Sequence, residues 1–311
     1  MRISIPDISK QIYAEEVYKA IVNSYDEIGP IWSQHQMEWC NNVYSTFKDH
    51  EKFLIIIYLI HKTLNFYSKN LTLLTYEEFY TRETVEIEKF NVIELSKKLF
   101  IPKESARRKV IELQKIGVLK KVKKKFIIDR SAYPFMKPSH SIKRVSRFLS
   151  ALSSKLENEN VLNKTMKTEE VEKIIKGRFT ISWKLWYDMQ IPMLLSWKRI
   201  FNDLETWHLW GVCAINQTYE QSKNSNIKMD RLQYWKAVTD PDQKFRGLNA
   251  MSLSEISGIP RATVVRKLNK LLKAKHLKKN DKKHYLLTGI HLKEMFDVNK
   301  ATLKGLSKFS T

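Results

Sequence analysis

A chain of 311 residues with 43% hydrophobic and 28% charged residues exceeds one typical domain and is too apolar to stay disordered. Its 55 Lys and Arg against 33 Asp and Glu give a formal charge of +22, which self-repels unless a polyanion or an acidic surface shares the working state. Two distant cysteines, Cys40 and Cys213, exclude a disulfide framework and a thiolate zinc site, and the apolar run Phe53 to Ile60 is far short of the ~20 residues that cross a bilayer.

Pro6 and Asp7 interrupt the stretch Met1 to Lys10 where a secretory signal needs an apolar core, so a reduced, cytoplasmic and nucleoid-associated location is expected. With only eight Gly and eight Pro, the chain reads as mainly α. Two long helices follow, about Ile28 to Phe47 and Asp49 to Tyr67, with Asp49 as N-cap and Glu51 in the first turn. Their aromatics, Trp32 and Trp39 among them, are read as packed core, with a ligand pocket between helices as the alternative.

Residues 91–130 form a compact module. A short helix from Ile93 to Leu99 leads through a turn at Phe100 to Pro102 into a helix from Lys103 to Lys115, whose Ala106, Val110 and Leu113 share one buried face. Gly117 stands where a left-handed residue ends a helix, and two short strands, Val118 to Val122 and Phe126 to Asp129, are joined by lysines. Residues 131–167 read as a connector: Tyr133 to Pro138 is a Pro-containing turn region, and Ser141 to Glu157 places Ile142, Val145, Leu149, Leu152 and Leu156 on one helical face.

From residue 168 the chain is written a second time. Shifted by 154, residues 14–70 share 13 identities with 168–224, including Trp32 with Trp186 and Asp49 and Glu51 with Asp203 and Glu205. Shifted by 158, residues 91–130 share 14 identities with 249–288. The domains expected are therefore a first repeat over 1–130, the connector, and a second repeat over 168–311 ending in a tail. Long helices recur at Ser182 to Phe201 and Asp203 to Gln221, and a second module has helices Leu253 to Ser257 and Arg261 to Lys275, then a hairpin from His276 to Lys279 and His284 to Leu287 turning at Asn280 and Asp281. Two fused copies mimic a homodimer, so a pseudo-twofold packing is expected; duplication without retained symmetry is the alternative.

The segment Leu253-Ser-Glu-Ile-Ser-Gly-Ile-Pro-Arg-Ala-Thr-Val-Val-Arg-Lys-Leu, followed by Leu271 and Leu277, resembles the winged helix-turn-helix of bacterial regulators of the IclR and MarR types. Leu95-Ser-Lys-Lys-Leu-Phe-Ile-Pro is similar, with Phe100 in the place of Gly258. The resemblance covers about forty residues in each copy and implies two winged modules that bind double-stranded DNA. It assigns Lys103, Ser105, Arg107 and Arg108, and Arg261, Thr263, Val265 and Arg266, to the recognition helices. It assigns Lys109, Lys120, Lys121, Lys123, Lys124 and Lys125, and Lys267, Lys278, Lys279, Lys282 and Lys283, to backbone and wing contacts.

Charge supports the same reading independently. Residues 91–130 hold 13 Lys and Arg against 4 acids, and 251–288 hold 10 against 2, so these two segments carry +17 of the +22. An α-helix fits the B-form major groove and not the narrow A-form one, which favours DNA over RNA. No HExxH pair, Gly-rich phosphate loop or Ser/Cys nucleophile motif is visible, so neither catalysis, cofactor nor metal is expected. The function expected is a sequence-specific transcription regulator acting as an intramolecular pseudo-dimer, with or without a small-molecule effector. A replication initiator of plasmid or phage type, or an interaction protein using its basic face on an acidic partner, are the alternatives.

Overall fold

The computed structural model describes residues 11–132, 139–224 and 228–311; the readings made for Met1 to Lys10 and Tyr133 to Pro138 lie outside them. The fold is mainly α with small antiparallel sheets. No helix among the described residues is long and apolar enough to cross a membrane.

Three helices open the chain: α1 (Ala14–Asn23), α2 (Tyr25–Phe47) and α3 (His50–Lys69). The Asp49 carboxylate accepts from the backbone N–H of Glu51 and Lys52, satisfying two donors that the first turn of α3 leaves without helical partners. Short α4 (Tyr76–Tyr80) and strand β1 (Thr84–Ile87) come next, neither of which the sequence pattern suggests. Then come α5 (Val92–Leu99), α6 (Lys103–Lys115), β2 (Leu119–Val122) and β3 (Lys125–Asp129). β3 lies between β1 and β2 and pairs antiparallel with both, so that Val85 and Leu119 both face Ile128 across the ladder and all three are buried. Phe100 ends α5 in the left-handed region at φ 50°, where Gly258 ends the corresponding later helix at φ 68°. A bulky residue thus takes the conformation usually left to glycine.

The remaining elements are α7 (Ser139–Asn158), α8 (Thr168–Gly177), α9 (Phe179–Phe201), α10 (Leu204–Asn224), α11 (Arg231–Val238), α12 (Ala250–Ser257), α13 (Arg261–Lys273), β4 (Leu277–Lys279), β5 (Tyr285–Leu287) and α14 (Leu292–Ser310). α1 and α2 begin and end 154 residues before α8 and α9, and α5 and α6 begin and end 158 residues before α12 and α13. The second hairpin has no full third strand; a single bridge joins Leu248 to Tyr285.

Packing crosses between the two halves. α3 lies on α9 while α2 lies on α10; α7 lies on α2 and α8 while α14 lies on α9 and α1. α3 also meets α10 directly. The Trp32 and Trp186 rings meet edge to face at 6.3 Å, each backed by a phenylalanine, Phe148 and Phe309 respectively. The tryptophans of the long helices are all buried, whereas Phe66 and Tyr219 are exposed, and each fully buried aliphatic side chain such as Leu54 or Ile56 contributes about 1.5 to 3 kcal/mol. The stretch expected to be a connector is therefore built into the core: Ile142, Val145, Leu152 and Leu156 are all buried.

Candidate nucleic-acid interface

α6 and α13 are positioned by the same local chemistry. Ala106, Val110 and Leu113 on one, and Val264, Leu268 and Leu271 on the other, are buried against the rest of the module, and α3 and α10 respectively form the floor beneath. The opposite face looks outward. Lys103, Arg107 and Arg108 are exposed and Ser105 half-buried on α6; Arg261, Val265 and Arg266 are exposed and Thr263 half-buried on α13. The hairpins project lysines in the same manner. Lys120, Lys121, Lys123, Lys124 and Lys125 are exposed on the first; Lys279, Lys282 and Lys283 are exposed and Lys278 half-buried on the second. Lys123 and Lys283 occupy hairpin turns with φ near 55° and 60°.

Lys109 and Lys267 correct the sequence reading. Both were assigned to the nucleic-acid backbone, and both are buried, turned inward from their helices. The ammonium group of Lys109 sits on Asp49 and lies 3.3 Å from Glu51; that of Lys267 lies 2.5 Å from Asp203 and 3.9 Å from Glu205. Burial disfavours the Lys109 charge, but Asp49 and Glu51 overcome it and raise its pKa above the ordinary lysine value. The repeated carboxylates therefore cap a long helix and hold a lysine of the exposed helix above it. Asp203 caps α10 in the way Asp49 caps α3, accepting from the Thr206 N–H at 2.7 Å.

These two anchors touch. The His50 backbone N–H donates to Glu205 at 3.1 Å, its ring nitrogen lies 3.2 Å from the same oxygen, and its ring packs 5.1 Å from that of His208. Burial works against the Glu205 charge, yet the hydrogen bond and charge of His50, with Lys267, hold this carboxyl far below the usual range. Burial, then the neighbouring His50, keep His208 neutral, and its Nε2 lies 2.7 Å from the Asn41 amide oxygen. A continuous polar chain thus runs from α6 through the N-termini of α3 and α10 to α13.

Several of the exposed cations of the first module have carboxylate partners. Arg107 pairs with Glu104 at 2.9 Å and Arg108 with Glu112 at 3.8 Å; Lys120 pairs with Asp129 at 2.5 Å and Lys125 with Glu86 at 2.8 Å. Asp129 is accordingly lowered to about 2, chiefly by its Lys120 hydrogen bond. Among the described residues no carboxylate lies within 4.0 Å of the charged groups of Arg261, Arg266, Lys278, Lys279, Lys282 or Lys283.

Three contributors have no sequence signal of their own. Lys270 and Lys273 extend the exposed basic face of α13. Lys198 of α9, where the first half has Tyr44, is buried and donates to the carbonyls of Leu99 and Phe100, capping α5 across the two halves while pairing with Glu51 at 2.6 Å. The repeated pairs Asp49/Asp203 and Lys109/Lys267 were themselves a readable sign that these side chains meet. Among the described residues no group of three His, Cys, Asp or Glu is placed to hold a metal ion. No protein-family model, curated protein or solved structure matches this chain.

Proposed function

We infer that the chain is a sequence-specific double-stranded DNA-binding regulator in which two winged helix-turn-helix modules form an intramolecular pseudo-dimer. One observation carries the reading: two outward basic helices 158 residues apart, each followed by a lysine-bearing hairpin, are anchored through Lys109 and Lys267 on the touching ends of α3 and α10. Such an anchor sets the distance between two groove-reading helices without a dissociable interface. The reciprocal packing of α2 on α10 and α3 on α9, and of α7 on α8 and α14 on α1, supports a pseudo-twofold relation between the halves.

In this reading α6 and α13 enter successive major grooves and the hairpins lie along phosphates, which position the protein without reading bases. Arg108 and Arg266 occupy the same place in both helices, whereas Arg107 stands opposite Val265. An arginine favours acceptor-rich base edges and a valine packs on a thymine methyl, so the site is an imperfect inverted repeat with centres about 34 Å or a multiple apart.

The test is a duplex-DNA titration over salt combined with selection from a random pool. Affinity falls on the order of a thousandfold between about 50 and 200 mM salt if six or more phosphates are contacted. A flat salt dependence refutes nucleic acid as partner, and a perfect palindrome refutes the assignment of Arg107 and Val265 to bases. Footprinting on genomic DNA separates operators at promoters from the repeated origin sites of a replication initiator.

A further inference from the structure

The long helices enclose two cavities that occupy corresponding places in the two halves and differ in content. The smaller, about 40 Å³, has Trp197, Trp207, Trp210 and Gly211 on one wall. At the 154-residue offset these are Val43, Phe53, Ile56 and Ile57, which form the same wall of a larger cavity of about 100 Å³. The opposite walls also correspond: Trp32 and Gln36 in the smaller, Trp186 and Gln190 in the larger. Tryptophan thus fills one of two equivalent spaces, and smaller side chains leave the other open.

The open cavity alone is charged. Arg130 and Arg144 contribute to its walls, whereas no Asp, Glu, Lys, Arg or His lines the smaller one. The counterpart of Arg130 in the second half is Thr288. Arg130 is 4% exposed; it donates through Nε to Glu83 O and through Nη2 to Phe79 O and Arg82 O, and lies over the Tyr80 ring at 4.1 Å. Its Nη1 is buried and has no hydrogen-bond partner among the described residues, although the Tyr80 phenol lies near the guanidinium. Nε of Arg144 is likewise buried and unpaired, its Nη2 being held by Ser141. Neither guanidinium has a carboxylate within 4.0 Å among the described residues. Burial, then Arg144, push the adjacent His35 down to about 3 and keep it neutral, so it adds no third cation.

Arg130 is desolvated outright and Arg144, half-buried with Glu38 acting on it from beyond 4.0 Å, in part; on a mostly aromatic and aliphatic wall their unused N–H groups are costly unless an acceptor arrives. We propose that this cavity binds a small organic carboxylate with a compact apolar body, about one ring in size, whose carboxylate takes up the unpaired N–H groups of Arg130 and Arg144. The volume caps the apolar body at one ring or less, since it lies below the ~150 Å³ that accommodates benzene in an engineered cavity. The two guanidiniums set the charge, and exposed Asn42 with half-buried Thr46 and Ser141 mark the rim. Helices of both halves, α2, α3, α7 and α9, supply the wall, so an occupant senses how the halves pack.

The test uses the full chain without nucleic acid, so it succeeds or fails apart from the DNA-binding reading. Benzoate, cyclohexanecarboxylate and hexanoate are titrated against benzamide and inorganic phosphate, following fluorescence of the Trp39, Trp183 and Trp186 wall and the thermal midpoint. At least one carboxylate should saturate and raise the midpoint, with benzamide at least tenfold weaker than benzoate and phosphate without saturable effect. Arg144→Gln should weaken carboxylate binding tenfold or more. Val43→Trp, which installs the residue that fills the smaller cavity, should abolish it in a chain of unchanged circular dichroism. Equal binding of benzoate and benzamide, binding of phosphate alone, unaltered binding by Arg144→Gln, or no response to any of the three carboxylates would each overturn the proposal. The ligand comparison on the unaltered chain decides the matter even if a variant misfolds.

Discussion

The two modules share a backbone plan but spend their charge differently. α6 carries Glu104 and Glu112 among its cations, and these hold Arg107 and Arg108; α13 contains no acidic residue, and Ala262 and Lys270 stand at the corresponding places. The hairpins repeat the contrast: Lys120 has Asp129 where the second half has Leu287, and Lys125 has Glu86, which pairs with Ile127 as Leu248 pairs with the corresponding Tyr285. Nearly equal net charges, +9 over 91–130 and +8 over 251–288, therefore conceal unequal free charge. The first module is more internally neutralised and better fastened, with a third strand and the Lys198 cap; the second presents a more open cationic face.

The contrast can be tested most forcefully at the buried lysines. Lys267→Met should lower stability on the order of 3 kcal/mol in chemical denaturation, because Asp203 loses its cation and Glu205 keeps only His50. Lys109→Met should cost less, since Lys198 remains on Glu51. Equal losses would show that the extra cation of the first half adds nothing.

Next in size is the salt response. Replacing Lys279, Lys282 and Lys283 by Ala should reduce the slope of log affinity against log salt by about 2 to 3, whereas Lys120, Lys121 and Lys125 should change it by about 1, two of these three being already paired. Quantitative binding across a salt series decides; the reverse order would mean that the first hairpin is the main phosphate contact.

Acid should separate the modules more gently. His276 is buried in the second, where the first has Val118, and burial followed by the neighbouring His291 pushes it down to about 4. The unfolded chain thus binds the proton first as pH falls below about 6.5, and stability is lost between there and pH 4, by less than the ~1.4 kcal/mol per pH unit of a fully buried imidazole. His276→Val should flatten this part of the stability profile; hydrogen exchange at pH 4.5 should show β4 and β5 opening before β2 and β3.

The smallest effect concerns Glu104. Freeing Arg107 with Glu104→Gln should strengthen binding by less than about 1 kcal/mol, an exposed i,i+3 pair being weak, and only at the half-site read by α6. An equal gain at both half-sites would break the link between Arg107 and one groove.

The parts of this structure legible in sequence are those dictated locally. The bounds of α6 follow from Pro102 before it, the stripe Ala106, Val110 and Leu113 within it, and Gly117 after it at φ 79°. Asp49 was readable as a cap because N-capping needs only neighbours two and three residues on. β1 was not legible: four residues, Thr84 to Ile87, become a strand only because β3 is there to pair with them. Lys109 looked like surface charge because its partners, Asp49 and Glu51, lie sixty residues away in sequence. Arg130 was hidden for the same reason; nothing near the end of β3 in the chain reveals the carbonyls of α4 and Arg82 that hold it beside a cavity.

The exchange of helices between halves bears on how the molecule is made. The apolar side of α1, with Val17 and Ile21 fully buried, rests chiefly on α14, with smaller contacts to α2 and α7, so α1 leaves the ribosome and waits for a helix that begins at Leu292. At 5 to 20 residues per second that wait is roughly 15 to 60 s. Throughout it the part of α1 that α14 covers stays exposed, and the first half can acquire α2 through β3 while that flank remains unsealed. Packing the two halves within one chain leaves no partner to search for, but it also makes the nascent protein hold an adhesive segment open until translation has passed Leu292.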